Sequence, residues 1–456
     1  MFSSRTALGR WVLASAFTCA LATQGIAWSQ DHQPSKRAAK PAATATKKAA
    51  VPAAKATALA LPAVKVAAPA AKASAPATTP ATALIDGQAE NRLLAIYQLI
   101  SEGQQRHALE EADRLVNDHP NFQLAQLVLG DLLAARARPL RKVGAVPGSQ
   151  VADLAGTVDT LSVLREESRQ RLHAQHIRPP ADTIPAQFLA LSPRQRHAVA
   201  VDASRSRLYL FENSAKGMRL VADYYASVGK LGTDKSLEGD QRTPLGVYFI
   251  TSRLDAATLR DFYGAGALPL NYPNPLDQSR GKTGGGIWLH GTPPDQFARA
   301  PLATDGCVAI ANPDLERLLR TVERSTPVVI AKQLLWVTPR SVQAERQQFD
   351  AVLKAWGNAK SQGDVASLQR FYAPDFKNAS DQPLEQWLAT LTPPPEQRGR
   401  GIQIKDTSYL RWTDTSDTMV VTFGEVAEGA RTGTTRRQYW SRRGTQWQIF
   451  YEGVTG

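Results

Sequence analysis

Cysteine is nearly absent from this chain. Its 456 residues hold two, Cys19 and Cys307. Cys19 lies in "WVLASAFTCALATQGIA", an apolar run led by Arg5 and Arg10 and ending in small residues. That combination reads as a cleavable export signal over residues 1–27, and the window before Cys19 lacks a lipid-attachment pattern. Removal of the signal leaves one thiol. An internal disulfide is then excluded, so the fold must stand on its apolar core, and a leftover thiol in an oxidising compartment is a flag for reactivity.

Acidic charge is scarce at one end. Residues 1–85 carry ten basic groups against Asp31 alone, so +9 of the net +13 sits there and +4 is left for the other 371 residues. The basicity belongs to a leader and a tail rather than to a folded groove, which excludes a nucleic-acid reader. Aromatic residues are missing from 40–83, where Ala, Pro, Lys, Thr and Val dominate. Without them no core forms, and residues 28–85 read as an extended tether whose lysines are drawn to anionic surfaces. A clustered set of metal ligands is also lacking. His173 and His176 share a helical stretch near 159–175 but have no acidic or cysteine companion, so an exposed helix face is expected, with no metal and no cofactor.

What is present begins at Asp86. Apolar residues recur at helical spacing through Leu93, Leu94, Tyr97 and Ile100, then Ala108, Leu109, Ala112 and Leu115, then Phe122, Leu124, Leu127, Leu129 and Leu133. Gly103 and His119-Pro120 separate the helices. The segment 86–140 resembles one tetratricopeptide helical hairpin, without the second copy that an array requires. It is expected to serve packing or to dock a wall or envelope protein. Residues 141–195 read as a helical connector.

From Arg196 the pattern turns to strands. "HAVAVDASRSRLYLFEN" reads as a hairpin around Asp202–Arg207, followed by strand-like "RLVADYYASVGK", "TPLGVYFIT", "GGIWLHGT" and "TPVVIAK", with a helix in "PDLERLLRTVE". Residues 341–456 place helices first, "AERQQFDAVLKAWGNAKSQGD", "VASLQRFYAPDF" and "LEQWLATL", and four strand-like runs afterwards. The chain as a whole is a multidomain α+β protein, with an α+β cone at its C-terminal end. The cone's element order and its "W-x-x-A-K-x-x-G-D" opening resemble nuclear-transport-factor-2-like domains, a fold used for pockets and dimer faces alike.

The chemistry gathers at Cys307. A thiol attacks carbonyl carbon as thiolate, and imidazole is the usual means of generating one. The one histidine close by in sequence is His290, at the end of "GGIWLHG". Gly291 follows it and Gly306 precedes Cys307. Glycine beside a nucleophile admits substrate to the backbone, and the Gly306 N–H is a candidate oxyanion donor. Gly291, Thr304 and Asp305 are expected to contact substrate.

"HGTPPDQFARAPLATDGCVAIANPDLERL" resembles the His-Gly … Ser/Thr-x-Gly-Cys signature of the L,D-transpeptidase catalytic domain, the YkuD family. Upstream, "EGDQRTPLGVYFI" is similar to that family's Asp-x-x-Thr-Pro-x-Gly strand, and Asn312, Asp314 and Leu315 suit its helix after the cysteine. The resemblance covers 196–335. It implies a β-rich sandwich, Cys307 as nucleophile and His290 as proton acceptor and donor. It also implies peptidoglycan stem peptides as substrate, in the periplasm or cell wall. A thioester at the L-centre of a diamino acid would release D-alanine and then pass to an amine or to water. Two positions depart from the common motif: Asp305 stands where many members have His, and Ala309 where a polar Arg or Asn is usual. These departures, with the C-terminal cone, resemble cell-shape L,D-carboxypeptidases. L,D-transpeptidation is therefore the first expectation and hydrolysis by an L,D-carboxypeptidase or amidase the second. A non-catalytic cell-wall scaffold is the third.

Overall fold

The computed structural model describes residues 85–136, 155–392, 394 and 399–455. The expected export signal, nearly all of the tether and the first part of the connector lie outside them. Helices Gln88–Ser101, Gln105–Asp118 and Gln123–Ala135 open the described chain. Leu93, Ile96, Ala108, Ala112 and Leu115 bury completely along the seam of the first two. The third helix buries Leu124, Ala125, Val128 and Leu132 and leaves Leu133 exposed, because its stripe starts at Leu124 and repeats every four residues. This apolar face is used within the chain, closing on Phe297 and Ala311.

The connector is helical only in part. Ala155–His176 is a helix, with His173 and His176 exposed, but Ile184–Pro185 and Phe188–Ala190 are strands. Pro179, Pro180 and Pro185 remove the amide donors a helix would need there. Phe188–Ala190 pairs with the C-terminal strand Ile402–Thr413.

Residues 196–335 supply ten strands of an eleven-stranded sheet, and Ile85–Asp86 adds the other. The expected hairpin forms from His197–Asp202 and Arg207–Ser214, the Asp202 carboxylate accepting the Arg205 N–H in the turn. Arg207–Ser214 pairs with the long strand Gly217–Gly229, which pairs with Val308–Ile310. Val308–Ile310 lies parallel to Trp288–His290, itself antiparallel to Gly266–Pro269. On the far side Pro327–Ala331 runs between His197–Asp202 and Gly246–Phe249. Alternation sends Val199, Val201, Leu208 and Leu210 into one core with Leu289, Val308, Leu315 and Leu318. Ala198, Ala200, Tyr209 and Phe211 face the other way, into a second core shared with the C-terminal region.

That region packs helices Gln343–Gln362, Val365–Gln369 and Leu384–Leu391 with a six-stranded sheet. The helix expected to run on to Phe376 stops at Gln369, and Tyr372–Asn378 is a strand, since Pro374 disfavours a helical Ala373. Trp412, Tyr439 and Trp440 are buried in the region's core, with Trp447 partly buried against it. Among the described residues no helix is long and apolar enough to cross a membrane.

Candidate active site

Strand register decides which side chains share the site. Leu289 is in register with Val308 and His290 with Ala309 on parallel strands. Side chains in register point to the same face, and alternate residues point to opposite faces. Leu289 and Val308 therefore enter the core, while Trp288, His290 and Ala309 share the other face, and Cys307 continues that face one residue before the strand begins. His290 has small residues in register on both sides, Ala309 and Ala267. Its ring is buried, with Tyr263 edge-on at 5.2 Å and Phe262 at 5.9 Å between ring centroids.

His290 and Cys307 line one cleft of about 560 Å³, with Lys235, Glu238, Arg260, Phe262, Tyr263 and Asp305 among its walls. His290 Nδ1 lies 2.7 Å from the Gly291 carbonyl. A carbonyl can only accept, so Nδ1 carries the proton and Nε2 is left as a base. Burial lowers the imidazole pKa to about 4, the Gly291 bond pulling it back up and Arg299 adding to the depression. Burial also raises the Cys307 thiol above its ordinary value. The Trp288 backbone N–H counters this, Asp305 adds to it, and Arg299 and Lys235 oppose it. The thiol donates to the Gly286 carbonyl at 3.3 Å. At neutral pH the pair is thus uncharged: thiol and imidazole, not thiolate and imidazolium.

The turn that presents Cys307 is tied by Thr304. Its hydroxyl donates to the Cys307 carbonyl at 2.6 Å and accepts the Gly306 N–H at 3.2 Å. Thr304 lines the cleft, with its hydroxyl engaged in the turn. One expectation changes here. The Gly306 N–H is already committed, so it is not a free oxyanion donor. Gly306 is required for space and backbone: its φ is +124°, and a Cβ would lie 2.7 Å from the Arg242 carbonyl oxygen.

Gly291 is absent from the cleft walls. It sits behind His290, orienting the ring through its carbonyl while its N–H donates to the Tyr263 carbonyl at 3.0 Å. A Cβ there would lie 2.0 Å from Asn312 Oδ1. Asn312, at the start of helix Asn312–Thr321, accepts the Ala265 and Thr292 N–H groups and donates to the Thr292 carbonyl. It fastens the His290 loop to the helix that follows the nucleophile.

Asp305 does reach the cleft, exposed, with Lys230 Nζ at 3.0 Å and Gln241 Nε2 at 3.2 Å from its carboxylate. The basic neighbour that would offset its charge beside a thiol is therefore present. The upstream "GDQRTP" organises the opposite wall. Asp240 accepts the Ser236, Leu237 and Arg242 N–H groups and Lys235 Nζ, bonds that hold its carboxyl well below the ordinary range against the opposing effect of burial. Sequence reasoning missed Lys235, Tyr263 and Arg299, because no spacing rule marks them. The one available signal was that Arg299 falls between His290 and Cys307. Among the described residues no group of His, Cys, Asp and Glu could hold a metal ion.

With this geometry, residues 196–330 match the family model of the L,D-transpeptidase catalytic domain, YkuD, and form a domain of that family. Among solved structures, Bd1075 of Bdellovibrio bacteriovorus aligns with 60% of this chain and 98% of its own, at 24% identity and a TM-score of 0.51, a likeness of fold. Pgp2 of Campylobacter jejuni, a helical cell shape determining protein, aligns with 62% of this chain and 98% of its own, at 21% identity and a TM-score of 0.46. No curated protein matches the chain.

Proposed function

We propose that this chain is an exported, peptidoglycan-processing cysteine acyltransferase of the L,D-transpeptidase type, acting on stem peptides in the periplasm or cell wall. The observation that carries this reading is a histidine held by Gly291 in the tautomer that leaves Nε2 basic, in the same cleft as the one thiol. Cys307 attacks the carbonyl at the L-centre of the diamino acid, and His290 takes the thiol proton as the C–S bond forms. The adjacent N–H of Cys307 itself is assigned to the oxyanion, since that of Gly306 is occupied. Collapse breaks the C–N bond to the terminal D-alanine, whose amine leaves with the proton from His290. An amine of a second stem, or water, then gives its proton to His290 and releases the thioester.

Hydrolysis by an L,D-carboxypeptidase is the second reading. It is favoured to the extent that Asp305, bound by Lys230 and Gln241, is lost as a partner for an acceptor ammonium, which leaves Glu238 as the other carboxylate on the cleft wall. Incubation with defined muropeptides, followed by mass analysis, tests both. Cys307→Ala is expected to abolish turnover with the fold intact; unchanged turnover refutes the cysteine mechanism, and a wild type without turnover leaves a wall-binding scaffold. In the wild type, dimers bridged between third residues mark transpeptidation, whereas tripeptide stems without bridges mark hydrolysis.

A further inference from the structure

Two cations, Lys235 and Arg260, line the Cys307 cleft, and two more, Lys230 and Arg299, pack on its wall residues Asp305 and Phe262. Lys230 is spent on Asp305 at 3.0 Å, and Lys235 on Asp240 at 2.8 Å and the Leu237 carbonyl at 2.9 Å. Arg260 lines the outer wall, exposed, and forms no ion pair among the described residues. Arg299 is different in kind. Its guanidinium carbon lies 4.2 Å from the ring centroid of Phe262, a cleft-wall residue whose ring packs toward His290. Its carbonyl accepts the Tyr225 hydroxyl at 2.9 Å, which pins the backbone.

The guanidinium itself is poorly satisfied. Among the described residues Arg299 Nε is buried with no hydrogen-bond partner, and the side chain's one hydrogen bond there, to the Phe262 carbonyl, is 3.5 Å long. Among the described residues no carboxylate comes within ion-pairing distance; Asp305 and Asp295 act on Arg299 only from farther away. Its field nonetheless reaches both Cys307 and His290. A half-buried cation without a counter-ion is costly to keep. Held rigid beside a nucleophile, it is preorganised for an anion that arrives with the substrate.

We propose that Arg299 is the specificity-determining cation of the acyl-donor site, receiving the C-terminal carboxylate of the residue that departs when Cys307 is acylated. This rests on the acyl-transfer reading above. The geometry suits a leaving residue that ends its chain: its carboxylate meets the guanidinium under the Phe262 lip while the scissile carbonyl lies at the sulfur. An internal peptide bond offers no such charge, so Arg299 selects terminal over internal linkages.

The test uses the full chain and two tetrapeptide muropeptides that differ only in their last group, free acid or amide. The wild type is expected to favour the acid. Arg299→Gln should lose about 10- to 100-fold in kcat/KM on the acid, mainly through KM, as expected for one lost charge-assisted contact. On the amide it should lose almost nothing further, and Arg299→Lys should recover part of the acid preference. Alkylation of Cys307 by iodoacetamide within a few-fold of the wild-type rate in Arg299→Gln would show that the nucleophile's surroundings are intact. Should Arg299→Gln fail to fold, Arg299→Lys decides through its acid-to-amide ratio, which must fall below the wild type's. Equal losses on acid and amide, or no wild-type preference, overturn the assignment and leave acyl transfer standing. A wild type that turns over neither substrate overturns the acyl-transfer reading itself.

Discussion

An imidazole whose pKa is lowered to about 4, beside a thiol raised above its ordinary value, makes an uncharged pair across the physiological range. Cysteine enzymes with a preformed ion pair show thiolate reactivity well below the ordinary thiol pKa of about 8.5. Here His290 is neutral from about pH 5 upward, and the thiolate appears only as pH passes the raised thiol value. Iodoacetamide alkylation of Cys307 should therefore climb about tenfold per pH unit through pH 8 without a plateau; a plateau between pH 5 and 8 would reveal an ion pair and refute this. His290→Ala should cost about 10²- to 10⁴-fold in turnover while changing alkylation at pH 9 little. That Cys307 and His290 share one cleft was legible because the two belong to one short motif and the histidine ends a glycine-opened strand. The roles of Thr304, Gly291 and Gly306 were not, because proximity in sequence does not show where a hydroxyl or an N–H points. Thr304 and Gly306 bond to each other, and Gly291 faces backward to Asn312.

Among the elements, strand Trp288–His290 and the turn before Val308–Ile310 hold His290 and Cys307 on one face, and helix Asn312–Thr321 locks the loops between them. Asn312→Ala strips partners from the Ala265 and Thr292 N–H groups and the Thr292 carbonyl. The expected cost is about 2–4 kcal/mol by urea unfolding, with a fall in turnover larger than any fall in substrate affinity. A loss under about 0.5 kcal/mol would mean that water replaces the amide and that the loop is held otherwise. At this scale the sequence was largely readable. Alternation marked the hairpin His197–Asp202 with Arg207–Ser214, and the 3.6-residue period marked the opening helices. Short strands such as Phe188–Ala190 escaped notice because three residues carry no period, and their existence depends on a partner more than two hundred positions away.

Across the whole molecule, the opening helices brace the active-site loop. Phe297, seven residues after His290, stacks on Phe122 at 4.3 Å, and its N–H donates to the Asn121 carbonyl. Beneath this contact lies a buried charge cluster: Arg207 bridges Glu90 and Asp223, and Arg171 bridges Glu90 and Glu167. Asp314, on the helix after Cys307, borders it beside Gly87, whose Cβ would come within 2.7 Å of the carboxylate. Burial, with the Glu90 charge, raises the Asp314 pKa to about 7 against the opposing charges of Arg171, Arg207 and Arg317. The sign follows from linkage. Below about pH 4 the carboxyl is protonated whether the chain is folded or not, and the stability linked to it is fully present. Between there and pH 7 the unfolded chain releases a proton that the folded one keeps, so this group's contribution to stability falls as pH rises and is fully lost above 7. Asp314→Asn removes the ionisation. Compared with the wild type, the variant should gain about 1–3 kcal/mol at pH 8 over its difference at pH 4.5, read from urea midpoints at the two values. If the two midpoint differences are equal, Asp314 is ionised at an ordinary pKa, and the arginines of the helical layer compensate its charge in full.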